Sequence, residues 1–271
     1  MQEQTRQIGL IAGNGRLPFL FARAAARQNK KVVAAAVKGD TSYFLRFYVD
    51  EIAWFQAGEL RKLFDYFKYS GIRQVIMAGQ VNPVHLFNGR TRMDQEFQKL
   101  FEALENRKAD TIFSAVGQQL YAQGMELLDS TTFLKDYLAP KGTLSRRALR
   151  EDELADVVFG TQIAKSMGGL DVGQTVIVKR KAIVAIEALE GTDRCILRGG
   201  RIVQRDAVVV KTSKPQQDQR FDVPVVGPRT IRTMGRCRAG CLAIEAGKTL
   251  VIDLEQCLKL ADKFDIAIVA V

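Results

Sequence analysis

Hydrophobic and polar positions follow two alternating periods along the first half of the chain. Short apolar runs of strand length occur at residues 7–13, 30–39, 50–58 and 72–81. Stretches with the period of an amphipathic helix occur at residues 19–29, 59–71, 94–106 and 109–123. Pro18 is expected to open the first of these helices, because proline suits the first helical turn. Strand–helix alternation of this kind predicts a mostly parallel sheet covered by helices on both faces.

The second half of the chain has a different pattern of hydrophobic and polar residues. Residues 131–148 carry Pro140, Gly142 and mixed charge without a sustained period, which predicts a linker. Helical patterns follow at 151–169 and 254–264, and β-rich segments lie at 174–189, 207–213, 221–227 and 265–271. We therefore predict an α/β protein with a Rossmann-like N-terminal domain at 1–130, a linker at 131–148 and a distinct mixed α/β catalytic domain at 149–271. The pattern does not give the strand order of the second domain.

Composition limits the class of protein. The 271 residues are 47% apolar and 26% charged, which is typical of a globular chain. No window approaches the ~20 apolar residues of a membrane-spanning helix. The first residues lack the basic start and apolar core of a secretory signal, so we expect a soluble cytoplasmic protein. Cys237 and Cys241 have no second Cys/His pair to complete a zinc site, and His85 is the single histidine, so the cysteines are expected to be buried thiols.

The net charge of +10 is unevenly distributed. Between Arg194 and Arg238 there are eleven Lys and Arg against three Asp, a balance of 11 − 3 = +8. Such a segment suits nucleic acid, an anionic membrane surface or a phosphorylated substrate. Phe221 is its one aromatic residue, which argues against a stacking platform for single-stranded nucleic acid.

A glycine-rich loop follows the first predicted strand. Gly13, Asn14 and Gly15 precede Pro18, so backbone N–H groups at a helix N-terminus are expected to point at an anion. A dinucleotide-binding turn has a third glycine where Pro18 stands, and no acidic residue ends the second strand to hold a ribose. The loop therefore favours a phosphate over NAD, and a tight turn without a ligand is the alternative.

A second loop, AGQVNP at residues 78–83, follows the fourth predicted strand. Ligands of parallel α/β sheets lie outside the carboxyl ends of the strands. Gly79 and Gln80 are therefore expected to face the same crevice as the first loop. An ordinary strand-to-helix connection is the alternative.

An acidic turn at residues 187–194 gathers Glu187, Glu190 and Asp193 around Thr192. Carboxylates in a turn are typical ligands of a hard cation such as Mg²⁺. A solvated surface turn without a ligand is equally compatible with this pattern.

A basic segment at residues 211–231 places two acids, Asp218 and Asp222, among cations. The cations are Lys211, Lys214, Arg220 and Arg229. Lys and Arg neutralise phosphate oxygens, and a carboxylate among them is expected to stay ionised and to hold a metal or orient a water. The combination suits hydrolysis of a phosphoanhydride.

Five segments occur in a fixed order: IGLIAGNGRLP, AGQV, LDVGQTVIV, AIEALEGTD and KPQQDQRFDVPVVGPRTI. Together they resemble the UDP-2,3-diacylglucosamine pyrophosphatase family of lipid A biosynthesis, in the form unrelated to the metallophosphoesterases. The resemblance spans nearly the whole chain, although residues 125–150 match no motif. Asn14 and Val223 differ from the residues common in the family, and neither change removes a charged group.

The resemblance implies a Gram-negative enzyme that uses Mg²⁺ to hydrolyse UDP-2,3-diacylglucosamine to UMP and 2,3-diacylglucosamine 1-phosphate (lipid X). It places the critical aspartate at Asp222. Asp222, Asp193 and Glu190 are the candidate metal ligands. The candidate substrate-binding residues are Gly13, Asn14, Gly15, Gly79, Gln80, Thr192, Lys214, Gln217, Arg220 and Thr230.

Partners follow from the same interpretation. We expect the lipid substrate and product, no nucleic acid, a peripheral contact with the inner membrane and a homodimer. Two other classes stay open: an NAD(P)-binding Rossmann oxidoreductase, and a non-enzymatic module that binds anions or nucleic acid.

Overall fold

The computed structural model describes residues 6–81, 93–104, 106 and 109–271. His85 and residues 82–83 of the second loop lie outside the described residues. The chain divides into two compact units, the first made of Met1–Leu134 with Asp218–Asp222 and the second of Lys135–Gln217 with Val223–Val271. Rossmann-like strand order in the first unit and a mixed sheet in the second confirm the predicted α/β class.

The first unit is built on a parallel sheet in the order β3-β2-β1-β4-β5. Its strands are β1 (Gln7–Ala12), β2 (Lys31–Val37), β3 (Glu51–Phe55), β4 (Gln74–Ala78) and β5 (Glu126–Leu127). Its helices are α1 (Leu17–Arg27), α2 (Leu60–Tyr69), α3 (Gln95–Glu102) and α4 (Ala109–Ala122). A 3₁₀ turn spans Tyr43–Phe47. The order reverses between β1 and β4, which is where parallel α/β sheets open a crevice for ligands.

Burial explains why the central strands are apolar on both sides. Successive residues of β2 face opposite layers, so Val33 packs with Phe64 and Phe67 of α2, whereas Val32 packs with Phe21 of α1. Each fully buried Phe contributes roughly 2 kcal/mol by removing apolar surface from water. Pro18 lies in the first turn of α1, as the sequence predicts.

The second unit has a mixed sheet in the order β6-β13-β11-β9-β7-β8. Its strands are β6 (Gly142–Thr143), β7 (Thr175–Lys179), β8 (Ala182–Ile186), β9 (Val208–Lys211), β11 (Cys241–Ile244) and β13 (Ala267–Ala270). Strands β9, β11 and β13 run parallel, whereas β6 and β7 are antiparallel to their neighbours. A small parallel pair joins β10 (Val225–Val226) and β12 (Leu250–Val251). The helices are α5 (Glu151–Gly169), α6 (Thr192–Val203), α7 (Pro228–Arg236) and α8 (Leu254–Phe264).

Residues 131–148, which the sequence predicts as a linker, contain folded structure. The division between the units falls after Leu134, a 3₁₀ turn spans Lys135–Tyr137, and Gly142–Thr143 pair with β13. A two-residue strand is too short to produce a hydrophobic period, which is why residues 131–148 show no sustained pattern.

The cysteines are free thiols, as expected, and three of them are buried. Burial raises the pKa of Cys195 to about 12 and also raises the pKa of Cys241, because a thiolate is poorly solvated in the core. These thiols therefore stay protonated and act as small apolar side chains. Within the described residues, none of the helices has the length and apolar character needed to cross a membrane.

Candidate active site

The two predicted loops of the first unit are joined directly at the carboxyl edge of its sheet. The N–H of Gly13 donates to the carbonyl of Ala78 over 2.9 Å. Asn14 and Gln80 exchange backbone hydrogen bonds of 2.8 and 3.3 Å, which form an isolated β-bridge. The structure therefore brings the loops after β1 and β4 together, where the sheet order reverses.

Close backbone approach explains two of the glycines. A Cβ on Gly13 would lie 2.6 Å from the carbonyl oxygen of Gln80. A Cβ on Gly79 would lie 2.4 Å from the carbonyl oxygen of Asn14, and the φ of Gly79 is +88°. Both positions thus exclude a side chain, and Gly79 also adopts a backbone conformation that favours glycine.

The same contacts decide which N–H groups remain for a ligand. The N–H groups of Gly13 and Asn14 donate to backbone carbonyls within the two loops. This differs from the sequence-based prediction that these N–H groups point at an anion. A Cβ on Gly15 would meet no described atom within 4 Å, so this position is open. Any anion at this edge is therefore expected at Gly15 and at the N–H groups of Leu17 and Phe19 in the first turn of α1, because Pro18 has no N–H.

The segment Asp218–Asp222 belongs to the first unit although its neighbours in sequence belong to the second. The buried Ser130 holds it there. The Ser130 hydroxyl lies 2.7 Å from the carbonyl oxygens of both Met77 and Arg220, and its N–H donates to the carbonyl of Gln219 over 2.9 Å. Met77 lies in β4, so the segment that carries Asp222 is fixed close to the carboxyl edge of the sheet.

Two further contacts shape this segment. The ring of Phe221 packs against Phe113 at a centroid distance of 5.8 Å. The guanidinium of Arg220 holds both oxygens of Asp218, at 2.9 and 2.6 Å. This hydrogen-bonded pair lowers the pKa of Asp218, so the charge of Arg220 is partly compensated inside the segment. The N–H of Asp222 donates to the carbonyl of Asp218 over 3.0 Å, which closes a tight turn.

In the second unit, a network at the ends of β9 and β11 holds the residues that precede Lys214. Glu245 accepts hydrogen bonds from the Lys165 ammonium at 2.6 Å and from the Ser213 hydroxyl and N–H at 2.6 and 2.9 Å. Burial alone would raise the pKa of Glu245, but the hydrogen bonds from Lys165, Lys248 and Ser213 outweigh burial and lower it to about 2. Glu245 therefore stays ionised.

Lys214 and Gln217, both predicted to bind substrate, are linked to each other. The Lys214 N–H donates to the side-chain oxygen of Gln217, and the Lys214 ammonium lies 2.6 Å from Asp171. Thr230, the third predicted residue of this part of the chain, is buried in α7.

A second polar network surrounds Thr192 at the start of α6. The Thr192 hydroxyl donates to Glu187 over 2.8 Å and accepts from the Lys211 ammonium over 2.9 Å. Lys211 is buried and also lies 3.9 Å from the other Glu187 oxygen. That oxygen, Oε2, is buried and accepts no hydrogen bond from the described residues. Lys211 thus carries a positive charge to the end of β9, beside Thr192.

The two acids predicted as metal ligands in this turn differ in their surroundings. One oxygen of Glu190 accepts from Arg198 over 2.6 Å and the other accepts the Ala188 N–H over 3.0 Å. Asp193 has one oxygen paired with Arg229 at 2.7 Å, while its Oδ1 is buried and unpartnered among the described residues. Asp193 therefore offers an oxygen, whereas both oxygens of Glu190 are engaged.

Three or more His, Cys, Asp or Glu side chains do not gather into a metal-holding group anywhere in the described residues. Mg²⁺ is commonly bound by only one or two carboxylates together with substrate phosphates and water. The Oδ1 of Asp193, which is unpartnered among the described residues, is compatible with that mode of Mg²⁺ binding.

Comparison with known proteins assigns the family. The sequence profile of the LpxI N-terminal domain matches residues 7–137, and that of the LpxI C-terminal domain matches residues 140–269. The chain belongs to the LpxI family. Its similarity to the UDP-2,3-diacylglucosamine pyrophosphatase LpxI of Caulobacter vibrioides is 27% identity over 277 residues, 98% of each chain. The resemblance read from the five sequence segments is thereby confirmed.

A solved structure gives a much weaker likeness. The biotin carboxylase domain dimer of Hydrogenobacter thermophilus 2-oxoglutarate carboxylase, crystallised with MgADP, ADP and bicarbonate, aligns with 72% of this chain and 40% of that chain. The identity is 10% and the TM-score is 0.27, so this likeness supports no conclusion about fold or function.

Several residues that shape the candidate site segments of the two units are not evident from the sequence. Ser130, Lys165 and Glu245 act through contacts between residues far apart in the chain. Lys211 and Glu187 lie in segments that the sequence marks as polar, but their shared partner Thr192 becomes evident only in the fold.

Proposed function

We propose that the protein hydrolyses the pyrophosphate bond of UDP-2,3-diacylglucosamine and releases UMP and 2,3-diacylglucosamine 1-phosphate. The observation that carries this proposal is the match of both LpxI domains along the chain, together with the 98% coverage of a relative that bears this activity in its name. An oxidoreductase or a non-enzymatic anion-binding module is not favoured, because neither accounts for that match.

Residues of the first unit would bind phosphate and activate water. Gly15 and the first turn of α1 present N–H groups and the positive end of the helix dipole at the carboxyl edge of the sheet. Arg220 adds a guanidinium that is partly compensated by Asp218. Asp222 follows in the same segment and would orient the attacking water and accept its proton. Gly13, Asn14, Gly79 and Gln80 would shape this edge through their backbone bridge.

Residues of the second unit would bind the diphosphate by charge and hydrogen bonding. Lys214 and Gln217 lie in a segment held by Glu245 and Asp171. Thr192 is the first residue of α6, beside the buried ammonium of Lys211. A lysine and a helix N-terminus at one place favour an anion. Thr230 would contribute through its hydroxyl in α7.

Asp222 is the proposed metal ligand of the first unit, and Asp193, whose Oδ1 is unpartnered among the described side chains, is the proposed metal ligand of the second. Bound Mg²⁺ would neutralise charge on the phosphate oxygens. Glu190 is the weaker candidate because both of its oxygens already accept hydrogen bonds.

The reaction balances without a further reactant. A water oxygen bonds to one phosphorus while the bond from that phosphorus to the bridging oxygen breaks. The electron pair leaves with the bridging oxygen, and the proton of the water passes to Asp222 and then to solvent. Cations around the phosphates stabilise the charge that develops on the leaving group.

The proposal extends to the location and the oligomeric state of the enzyme. We place it in the cytoplasm of a Gram-negative bacterium, as a homodimer in peripheral contact with the inner membrane. Light scattering on the purified protein measures the dimer directly.

Product analysis tests the activity. Purified protein is incubated with UDP-2,3-diacylglucosamine and Mg²⁺, and products are identified by mass spectrometry. Equal amounts of UMP and 2,3-diacylglucosamine 1-phosphate are expected. Intact substrate, or UDP with free diacylglucosamine, would contradict the proposal.

A further inference from the structure

The 3₁₀ turn after β2 exposes a cluster of large aromatic side chains. We call Tyr43, Phe44, Phe47 and Tyr48 the aromatic turn. Phe44 and Phe47 are 68% and 70% exposed and Tyr43 is 60% exposed. Leu45, between them, is fully buried in the core of the first unit. The turn is therefore fixed to the fold while its aromatic rings face away from the core.

Two arginines lie on these rings. The guanidinium of Arg46 lies 4.9 Å from the centroid of Tyr43 and 5.2 Å from that of Phe47, and it donates to the Tyr43 hydroxyl. The guanidinium of Arg23 lies 4.9 Å from the ring centroid of Tyr48 and donates to its hydroxyl over 3.2 Å. The surface thus combines apolar rings with cationic groups held over them.

Charge around the aromatic turn continues along α1. Phe19 of α1 contacts Tyr48 edge-on at 5.2 Å, and Arg23 stands one helical turn further on the same face. Residues 13–39 contain no Asp or Glu, and their basic residues are Arg16, Arg23, Arg27, Lys30, Lys31 and Lys38. Asp40, Asp50 and Glu51 flank the turn, and Asp50 accepts the Val32 N–H over 2.8 Å. The adjacent helix α1 therefore carries positive charge at Arg23 and Arg27 and no acidic side chain.

We propose that the aromatic turn, together with Arg23 and Arg46, docks this protein on the surface of an anionic lipid bilayer. Aromatic side chains favour the level of the lipid headgroups, and arginines pair with headgroup phosphates. A second copy of the chain is a poorer occupant, because a two-fold contact on this surface would bring the same arginines and the basic helix against themselves.

The docking surface also gives a reason for membrane contact. If the substrate is UDP-2,3-diacylglucosamine, its acyl chains reside in a bilayer, and docking lets the protein reach it there. This part of the inference rests on the proposed function, whereas the docking surface itself rests on the exposed rings and the charge.

Trp54 reports on docking directly. It is the one tryptophan of the chain, and its ring stacks on Tyr43 at a centroid distance of 5.8 Å. Full-length protein is mixed with vesicles of phosphatidylglycerol and phosphatidylethanolamine, or of phosphatidylcholine alone. We expect co-sedimentation and a blue shift of Trp54 emission with the anionic vesicles, both weakened by salt.

A paired variant removes the apolar contribution. Phe44→Ser combined with Phe47→Ser should weaken binding to anionic vesicles by about tenfold or more, because two exposed rings no longer enter the interface. Tyr69→Ser is the matched control, since Tyr69 is 93% exposed at the end of α2, away from the aromatic turn in sequence. Its vesicle binding should equal that of the unmodified protein.

Hydrolysis of detergent-dispersed substrate separates this inference from the proposed function. The paired variant should keep that activity, so a loss of vesicle binding with activity retained supports docking. Equal vesicle binding by the paired variant and the control would overturn it. So would the absence of vesicle binding by the unmodified protein, or a dimer that dissociates in the paired variant while vesicle binding is unchanged. A protein that binds vesicles but hydrolyses nothing would contradict the proposed function and leave docking supported.

Discussion

The hydroxyl of Ser130 lies 2.7 Å from the carbonyl oxygens of both Met77 and Arg220. Met77 belongs to β4, and Arg220 lies two residues before Asp222. One buried hydroxyl thus connects the strand beside the crevice to the segment with the proposed catalytic carboxylate. Placement of Asp222 is consequently a property of the first unit, although the residues on either side of its segment belong to the second.

Ser130→Ala should therefore reduce both stability and activity. Loss of this hydroxyl removes the hydrogen bond that it donates to the carbonyl of Met77 or Arg220, which costs about 1–2 kcal/mol in the free energy of unfolding. It also loosens the Asp222 segment, so kcat should fall by about tenfold or more. Urea unfolding and steady-state kinetics measure the two effects.

The matched control is Ser166→Ala. The Ser166 hydroxyl also donates to a carbonyl, that of Gln162 at 3.1 Å, but on the exposed face of α5. Its loss should change neither quantity measurably. A normal kcat in the Ser130→Ala protein would show that the Ser130 contacts do not position Asp222.

Gly79→Ala should be far more harmful than Gly71→Ala. Both glycines have a positive φ, +88° and +67°, so both substitutions cost about 1 kcal/mol of backbone strain. The added Cβ at Gly79 would also lie 2.4 Å from the Asn14 carbonyl oxygen, whereas the one at Gly71 would meet no described atom within 4 Å. We expect a total loss of roughly 3 kcal/mol or more at Gly79, measured by thermal or urea unfolding. Equal losses at both positions would mean that the bridge between the two loops tolerates a side chain.

The lowered pKa of Glu245 predicts that the protein loses stability in acid. Its pKa in the folded protein is about 2, below the ordinary value of 4.5, because the hydrogen bonds from Lys165, Lys248 and Ser213 outweigh burial. The resulting stability is fully present above pH 4.5 and is lost as the pH falls from 4.5 toward 2. Glu245→Gln should therefore cost about 2 kcal/mol at neutral pH and progressively less in acid.

Urea unfolding of the unmodified and Glu245→Gln proteins at several pH values measures this difference. Glu255→Gln is the control, because the Glu255–Lys259 pair is exposed and should add little at any pH. A stability difference between the unmodified and Glu245→Gln proteins that is independent of pH would contradict the assignment.

Asp193 and Glu190 should respond differently to magnesium. Asp193→Asn changes an acid whose Oδ1 has no hydrogen-bond partner among the described residues, so the Mg²⁺ concentration for half-maximal activity should rise by about tenfold or more. Glu190→Gln changes an acid whose oxygens face Arg198 and the Ala188 N–H, so that concentration should stay within about twofold. Titration of each protein with Mg²⁺ after chelator treatment gives both values. A larger increase in that Mg²⁺ concentration for Glu190→Gln than for Asp193→Asn would assign the metal to Glu190.

Much of the first unit follows from the sequence. Its strands are short apolar runs and its helices have clear amphipathic periods, so their positions could be read directly. Because the strands are parallel, the loops after β1 and β4 had to meet at one edge, and Asn14 and Gln80 do meet there. The sequence does not show that the N–H groups of Gly13 and Asn14 donate to carbonyls of the second loop, because these hydrogen bonds depend on the distance between the two loops.

The fold of the second unit is harder to predict from the sequence, for physical reasons. Its sheet mixes parallel and antiparallel pairs, and several strands are two to five residues long, so no single period defines the order. Residues 221–227 read as a β-rich segment, yet only Val225–Val226 form a strand and Phe221 packs with Phe113 in the first unit. That placement depends on Ser130, which lies far away in the sequence.

Replacement of Asp222 tests the central claim most directly. Asp222→Ala is compared with the unmodified protein and with Asp136→Ala, an exposed aspartate in the 3₁₀ turn at Lys135–Tyr137. Each protein receives UDP-2,3-diacylglucosamine and Mg²⁺, and UMP release is followed over time. The account predicts that Asp222→Ala lowers kcat by about a thousandfold while Asp136→Ala stays normal, because a positioned base is lost. UMP release by the Asp222→Ala protein at the unmodified rate would contradict it.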